Sequence, residues 1–305
     1  PGIGDRPGIG DRPGDRDINI NTGNQINTGD ISAGNRVGDN NRVGSNQIGD
    51  RNRLENNRVG SNRVGDNRVG NNYRQQNVNS IRNRYSNVNQ RPFGGDYWNR
   101  RGAYHTGSAW RYQNTWRSYP SNWYWRTASV ATCGAWFAGW NWNKPYYYNY
   151  GSNVVYRDNS VYINDQQYAS SEQFYEQAET IAANVPQEVV ETKEEDWMPL
   201  GVFALARDDG ADTGMMLQLA VTKSGVIAGM LYNDATEEDR PVEGMVDQKS
   251  QRAVWRFADG KNENLVMETG IYNLTEDEAT ALVHFGPDDS ETWLMVRLEE
   301  STDQG

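Results

Sequence analysis

Apolar residues recur along this chain in three different rhythms, and each rhythm predicts a different kind of structure. Between Ile20 and Val69 they stand alone. Ile20, Ile26, Ile31, Val37, Val43, Ile48, Leu54, Val59, Val64 and Val69 follow one another at steps of 5 or 6, separated by Gly, Asn, Asp, Ser and Arg. A step of 6 keeps an apolar side chain on one face of a strand, whereas a step of 5 flips it unless a turn or bulge absorbs a residue. The Gly and Asn between them suit such corners, because both tolerate positive φ. The pattern therefore predicts an irregular β-solenoid-like or extended arm over residues 18–91. With one apolar residue per unit it is too thin to form a core, so an arm that orders against a neighbouring surface is expected rather than a self-sufficient solenoid. Residues 1–17, built on Pro-Gly-Ile-Gly-Asp-Arg, read as a linker. Near the end of the arm, Val78, Ile81, Tyr85 and Val88 are spaced 3, 4 and 3 apart, which permits a short helix.

The second rhythm is aromatic. Residues 92–150 hold Trp98, Trp110, Trp116, Trp123, Trp125, Trp136, Trp140 and Trp142, with Tyr and Arg among them. Such a block supplies a compact core, a junction between copies, or a stacking surface for sugar rings. Within it the small residues Ala128, Ala131, Ala135, Ala138 and Gly139 fall at helical spacing, predicting a buried helix over Thr127–Trp140. Residues 151–186 read as a hairpin plus helix: strands at 153–157, 160–163 and 166–168 with turns at Asp158-Asn159 and Asn164-Asp165, then a helix capped by Ser170 with Gln173. The helix carries Phe174, Ala178, Ile181 and Val185 on one face and ends at Asn184 and Pro186. Residues 187–196 are an acidic linker.

The third rhythm is period two. From 197 to 300, alternation such as Leu217, Leu219 and Val221 against Gln218, Ala220 and Thr222 predicts strands at 200–206, 215–222, 226–232, 241–247, 253–257, 265–268, 281–285 and 292–298. Asp208-Asp209-Gly210, Ser224-Gly225, Asp259-Gly260 and Pro287-Asp288-Asp289 punctuate them. About eight short antiparallel strands make a barrel or a sandwich, and the chain as a whole is mainly β.

Charge divides the chain sharply. Up to Arg126 there are 19 Arg, no Lys and 10 acidic residues, whereas the remainder has 11 basic and 31 acidic residues, so a net of +9 is followed by −20. A cationic arm on an anionic domain suits contact between copies and argues against nucleic acid as a partner, since the anionic half repels phosphate. Arg36, Arg42, Arg58, Arg63 and Arg68 of the repeat, its apolar positions and the eight tryptophans above are accordingly the candidate assembly residues.

Catalytic signals are weak. His105 and His284 are the two histidines, Cys133 is the one cysteine, and no nucleophile elbow, phosphate loop, dinucleotide fingerprint or His-Glu-x-x-His occurs. His284 reads as a packing or hydrogen-bonded residue in a strand and Cys133 as an inert buried thiol. The acidic turns at 208–212 and 288–291 offer oxygen ligands of the kind Ca²⁺ takes, but solvated turns look the same. No catalytic residue, cofactor or metal site is expected. No apolar run is long enough for a membrane-spanning helix, and the start at Pro1 within a repeat reads as a processed chain or a fragment.

The order of Pro-Gly-Ile-Gly-Asp-Arg units, Asn-rich repeats, Trp/Tyr block and hairpin is followed by Trp197-Met-Pro-Leu-Gly-Val-Phe-Ala204, Glu243-Gly-Met-Val-Asp247, Met267-Glu-Thr-Gly270 and Leu294-Met-Val-Arg-Leu-Glu-Glu300. In this the chain resembles the surface proteins of planctomycete-type bacteria that carry the label mu-protocadherin-like. The resemblance implies secretion and a cell-surface or matrix location. The His-rich block associated with that family is nearly free of His here, which removes the basis for a metal role. The resulting expectation is a secreted structural protein that self-assembles into an extracellular filament, fibre or surface layer through its arm and aromatic segment. The alternative is a cell-surface module that binds polysaccharide or a small ligand and is tethered by a flexible arm.

Overall fold

The structure is a computed structural model that describes residues 57–58, 67–86, 92–93, 97, 116, 118–186, 193–208 and 210–299. Its centre is a closed barrel. Strands β5 (Trp197–Arg207), β6 (Asp212–Thr222), β7 (Val226–Asn233), β8 (Glu238–Val246), β9 (Arg252–Phe257), β10 (Val266–Gly270), β11 (Glu278–Gly286) and β12 (Asp289–Leu298) form an antiparallel meander. The last strand returns to the first, from Trp293 opposite Arg207 to Leu298 opposite Val202. This closure excludes a sandwich and hides both edges over that length.

Alternation assigns the two faces. Phe203, Leu205, Leu217, Leu219, Ile227, Trp255, Met267, Val283 and Met295 fill the interior. Their neighbours Val202, Ala204, Ala206, Ala220 and Ala228 point outward, yet they too are buried, because the barrel is wrapped. One end is closed by an arginine: Arg297 donates from Nε to the Glu276 carbonyl at 3.1 Å, from Nη1 to Leu200 at 2.9 Å and from Nη2 to Leu274 at 2.5 Å. Burial pushes this guanidinium down to about 10. Gly201 faces it at φ 124°, and a Cβ there would meet the guanidinium.

Two covers wrap the barrel. Over β5–β7 and β12 lie helix α1 (Asn67–Ser86) and the aromatics Phe93, Tyr97, Trp116, Tyr119, Trp123, Tyr124 and Trp125, the last three in a 3₁₀ turn at Ser121–Trp125. Trp116 stands edge-on to Trp123 and Trp197, with ring centroids 5.4 Å apart in each case. Over β8–β11 lie the sheet β2 (Val154–Arg157), β3 (Ser160–Ile163), β4 (Gln166–Ser170) and helix α3 (Ser171–Ala183). The β2–β3 and β3–β4 turns use Asp158, Asn159, Asn164 and Asp165 at φ between 47° and 62°, as two-residue hairpin turns demand. Ser170 and Gln173 form the anticipated capping box, and Asn184 ends the helix.

Three expectations change. The helix drawn over Thr127–Trp140 is shorter: α2 (Val130–Trp136) is followed by a 3₁₀ turn at Ala138–Trp140, and within α2 only Cys133 is buried. Its small residues Ala131, Ala135 and Ala138 are exposed, so their spacing marks no buried face. Burial falls instead on Cys133 and Phe137, four apart, whose stripe lies on the barrel end. The last repeat unit, Asn67 onward, is helical, where the β reading placed a strand or corner. A two-residue strand, β1 (Asn57–Arg58), is the described remnant of β structure in the arm. Ile20, Ile26, Ile31, Arg36, Val37, Arg42, Val43, Ile48, Leu54, Val59, Arg63, Val64, Trp98, His105 and Trp110 lie outside the described residues, as does most of the acidic linker.

Candidate functional site: the arm contact and the buried polar row

The charge split predicted from sequence has a local counterpart where α1 meets the barrel. Val78, Ile81 and Tyr85 are buried, at 0, 2 and 4 % exposure, against the outward Ala and Val of β5–β7 and β12. Around this dry stripe, basic side chains of the arm reach barrel carboxylates. Arg84 bridges Asp212 at 2.8 Å and Asp234 at 2.7 Å, Arg82 bridges Glu278 at 3.3 Å, and Tyr85 donates to Asp212 at 3.2 Å. Burial pushes the Tyr85 phenol up, and Asp212 adds to that shift. Such exposed pairs contribute little strength each; they orient the helix and respond to salt.

A second contact lies at the opposite end of the barrel from Arg297. The first residues of β12 run beyond Arg207, where β5 turns away, so Asp289–Thr292 have no β5 partner. There β1 pairs in parallel, Asn57 opposite Ser290 and Arg58 opposite Glu291. Two buried polar atoms in this stretch, Asp289 Oδ1 and Thr292 Oγ1, have no hydrogen-bond partner. A strand edge that the barrel leaves to a separate segment is where an extended peptide is taken up.

The opposite face holds the chemistry that sequence reading did not assemble. Arg252, Glu268, His284 and Ser290 form a row across β9, β10, β11 and β12. Arg252 Nε donates to Glu268 Oε2 at 2.6 Å. Glu268 Oε1 meets His284 Nε2 at 3.1 Å, and His284 Nδ1 meets Ser290 Oγ at 2.8 Å. Arg252 also reaches Gln177 Oε1 at 3.1 Å and the Phe174 carbonyl at 3.3 Å, both on α3. His284 stands opposite Ser290 in register, and each remaining step is one diagonal along the outward face. Burial alone would raise the Glu268 carboxyl; the Arg252 guanidinium and the His284 hydrogen bond outweigh it and hold the carboxyl below the usual range. Tyr148, Tyr150 and Tyr156 lie around the row, their phenols pushed well up by burial.

Ser, His and Glu in hydrogen-bonded succession resemble a nucleophilic triad, but an attacking hydroxyl needs substrate access. Ser290 is 4 % exposed and His284 and Glu268 are fully buried, under the hairpin and α3. The row therefore does structural work: it fastens four strands to their cover. His284 is hydrogen-bonded within a strand, in line with its sequence reading. Arg252, Glu268 and Arg297 were missed. The available signal was a charged residue breaking an apolar run: Arg252 and Glu268 at outward positions, Arg297 at an inward one two residues after Met295.

Sequence-selected aromatics divide between two places. Trp116, Trp123 and Trp125 are buried in the chain's own core. Trp136, Trp140 and Trp142 cluster half-buried at the capped end, Trp140 and Trp142 at 5.1 Å, with Lys223 Nζ 5.1 Å from the Trp136 ring. Beneath them burial pushes the Cys133 thiol up to about 12. Arg68 and Val69 fall within α1 and Arg58 within β1. Among the described residues, no three His, Cys, Asp or Glu side chains gather as metal ligands would. Compared with known proteins, the chain matches no family model, no curated protein and no solved structure at a significant level.

Proposed function

We propose that this is a secreted structural protein whose cationic arm and anionic barrel join copies into an extracellular filament or surface layer. The supporting observation is the arm contact itself. The end of the repeat lies on the barrel through an apolar stripe ringed by Arg–carboxylate pairs, a surface that a neighbour's arm fits as well as the chain's own. The wrapped, closed barrel is the node of the assembly and the repeat is its connector. Among the described residues no helix is long and apolar enough to cross a membrane. Electron microscopy of the purified chain at low and moderate salt tests the proposal. Ordered polymers that shorten as salt rises are expected; a monomer with a protease-labile arm in every condition would overturn it.

A second reading, a polysaccharide-binding module, draws on the half-exposed Trp136, Trp140 and Trp142 at the capped end. Sugar rings stack on such faces. Glycan-array binding that is lost in Trp140→Ala, with polymers retained, would favour it.

A further inference from the structure

We infer that the start of β12 is an exchangeable strand-acceptor slot, and that its occupant in the assembly is an Asn-Arg-Val-Gly unit from a second copy. The inference rests on the proposal of self-assembly and names the site that would serve it. The slot is defined by closure that stops short: β12 begins at Asp289, but β5 meets it only from Trp293 onward. β5 does not pair with Asp289–Thr292, and Asn57–Arg58 pair there instead, at Ser290 and Glu291; an edge of this kind recruits an extended segment.

The segment that pairs there, Asn57–Arg58, belongs to Asn57-Arg-Val-Gly60. That tetrapeptide occurs five times, at 35–38, 41–44, 57–60, 62–65 and 67–70. A two-residue pairing contributes modestly and specifies its register only through the sequence around it. The unit at 67–70 lies in α1; among the other four identical units the slot does not distinguish one from another, nor a unit of its own chain from one of a neighbour. Occupancy by the chain's own unit closes the molecule on itself; occupancy by a neighbour's unit links two copies. The +9 of residues 1–126 against the −20 of residues 127–305 favours the encounter in either case.

Cross-linking between full-length chains reads this directly. Arg58 and Glu291 are register partners, and adjacent strands hold Cα atoms within disulfide range. Cys133, the one native cysteine, is fully buried and its thiol is pushed up to about 12, so it does not compete. A chain carrying Arg58→Cys is mixed with a chain carrying Glu291→Cys under mild oxidation, and polymer formation by the unmodified chain is followed in parallel by light scattering. A disulfide between the two chains is expected, at comparable yield when the donor is Arg42→Cys or Arg63→Cys, and reduced severalfold by molar salt. A double variant, Arg58→Cys with Glu291→Cys, that links only within one chain while the mixture gives no linked dimer would overturn the inference. Polymers without the cross-link would place the contact elsewhere and sink the slot while leaving self-assembly standing. Cross-linked dimers without polymers would keep the slot and sink the filament reading.

Discussion

The two covers of the barrel solve the same problem in opposite ways. Both hide outward-facing apolar residues of a closed sheet. The cover over β8–β11 is riveted by a buried charge row: Arg252 ties Glu268 to α3, and His284 ties Glu268 to Ser290. The cover over β5–β7 has a dry stripe of Val78, Ile81 and Tyr85, with its ion pairs at the rim. Buried polar groups bind strongly only when every partner is present, and they tolerate no substitute. An apolar stripe with rim charges discriminates less between segments of similar shape. On the proposed function, the first cover is the permanent one and the arm is the one that exchanges between copies.

The largest expected effect breaks the permanent cover. Glu268→Ala leaves Arg252 charged and buried without its partner, and a loss of about 3–5 kcal/mol in urea unfolding is expected. Ile81→Ala attacks the arm side and should cost about 2–3 kcal/mol, mainly as cavity and lost transfer energy, with the barrel itself remaining folded. A smaller effect sharpens the contrast. Gln218 is fully buried under the aromatic cover with neither amide atom hydrogen-bonded. Gln218→Leu should therefore stabilise the chain by about 1–2 kcal/mol, read as a higher midpoint at unchanged urea dependence. Least costly is Arg84→Ala, about 1 kcal/mol or less, with the difference vanishing at high salt.

Acid and alkali act on the buried carboxylate and the buried phenols with opposite sign. The Glu268 carboxyl is held below its unfolded value, so its contribution is present above the ordinary carboxylate range and is lost as pH falls through the folded value. Stability measured from neutral pH downward should fall, and Glu268→Gln should flatten that slope. Alkali acts oppositely on phenols: burial pushes Tyr146, Tyr147 and Tyr272 up to about 12. Their contribution is full below the ordinary phenol value and fades as pH rises toward 12, which ultraviolet titration would record as delayed ionisation.

Most of the barrel was legible because alternation and turn chemistry agree locally. The eight expected strands match β5–β12 to within a few residues at each end. The Ser170–Gln173 box placed α3, and Val78, Ile81 and Tyr85 are the buried face of α1. Long-range facts were not legible. Closure of β12 on β5 depends on registers that no local pattern encodes, so barrel and sandwich stayed level. Arg252, Glu268, His284 and Ser290 lie 16, 16 and 6 residues apart, and only strand pairing aligns them. Small-residue spacing misled over Thr127–Trp140, since exposed alanines imitate a close-packing face. The half-exposed Trp140 there packs on Gly225 (φ 87°), where a Cβ would collide with its ring.

Residue-resolved hydrogen exchange of the full chain at two protein concentrations tests the exchangeable cover most directly. The amides of α1 and of Asp289–Thr292 are expected to open at lower free energy than those of α3, and to gain protection as concentration rises and neighbours bind. Equal protection of α1 and α3, unchanged with concentration, would contradict an arm that exchanges between copies.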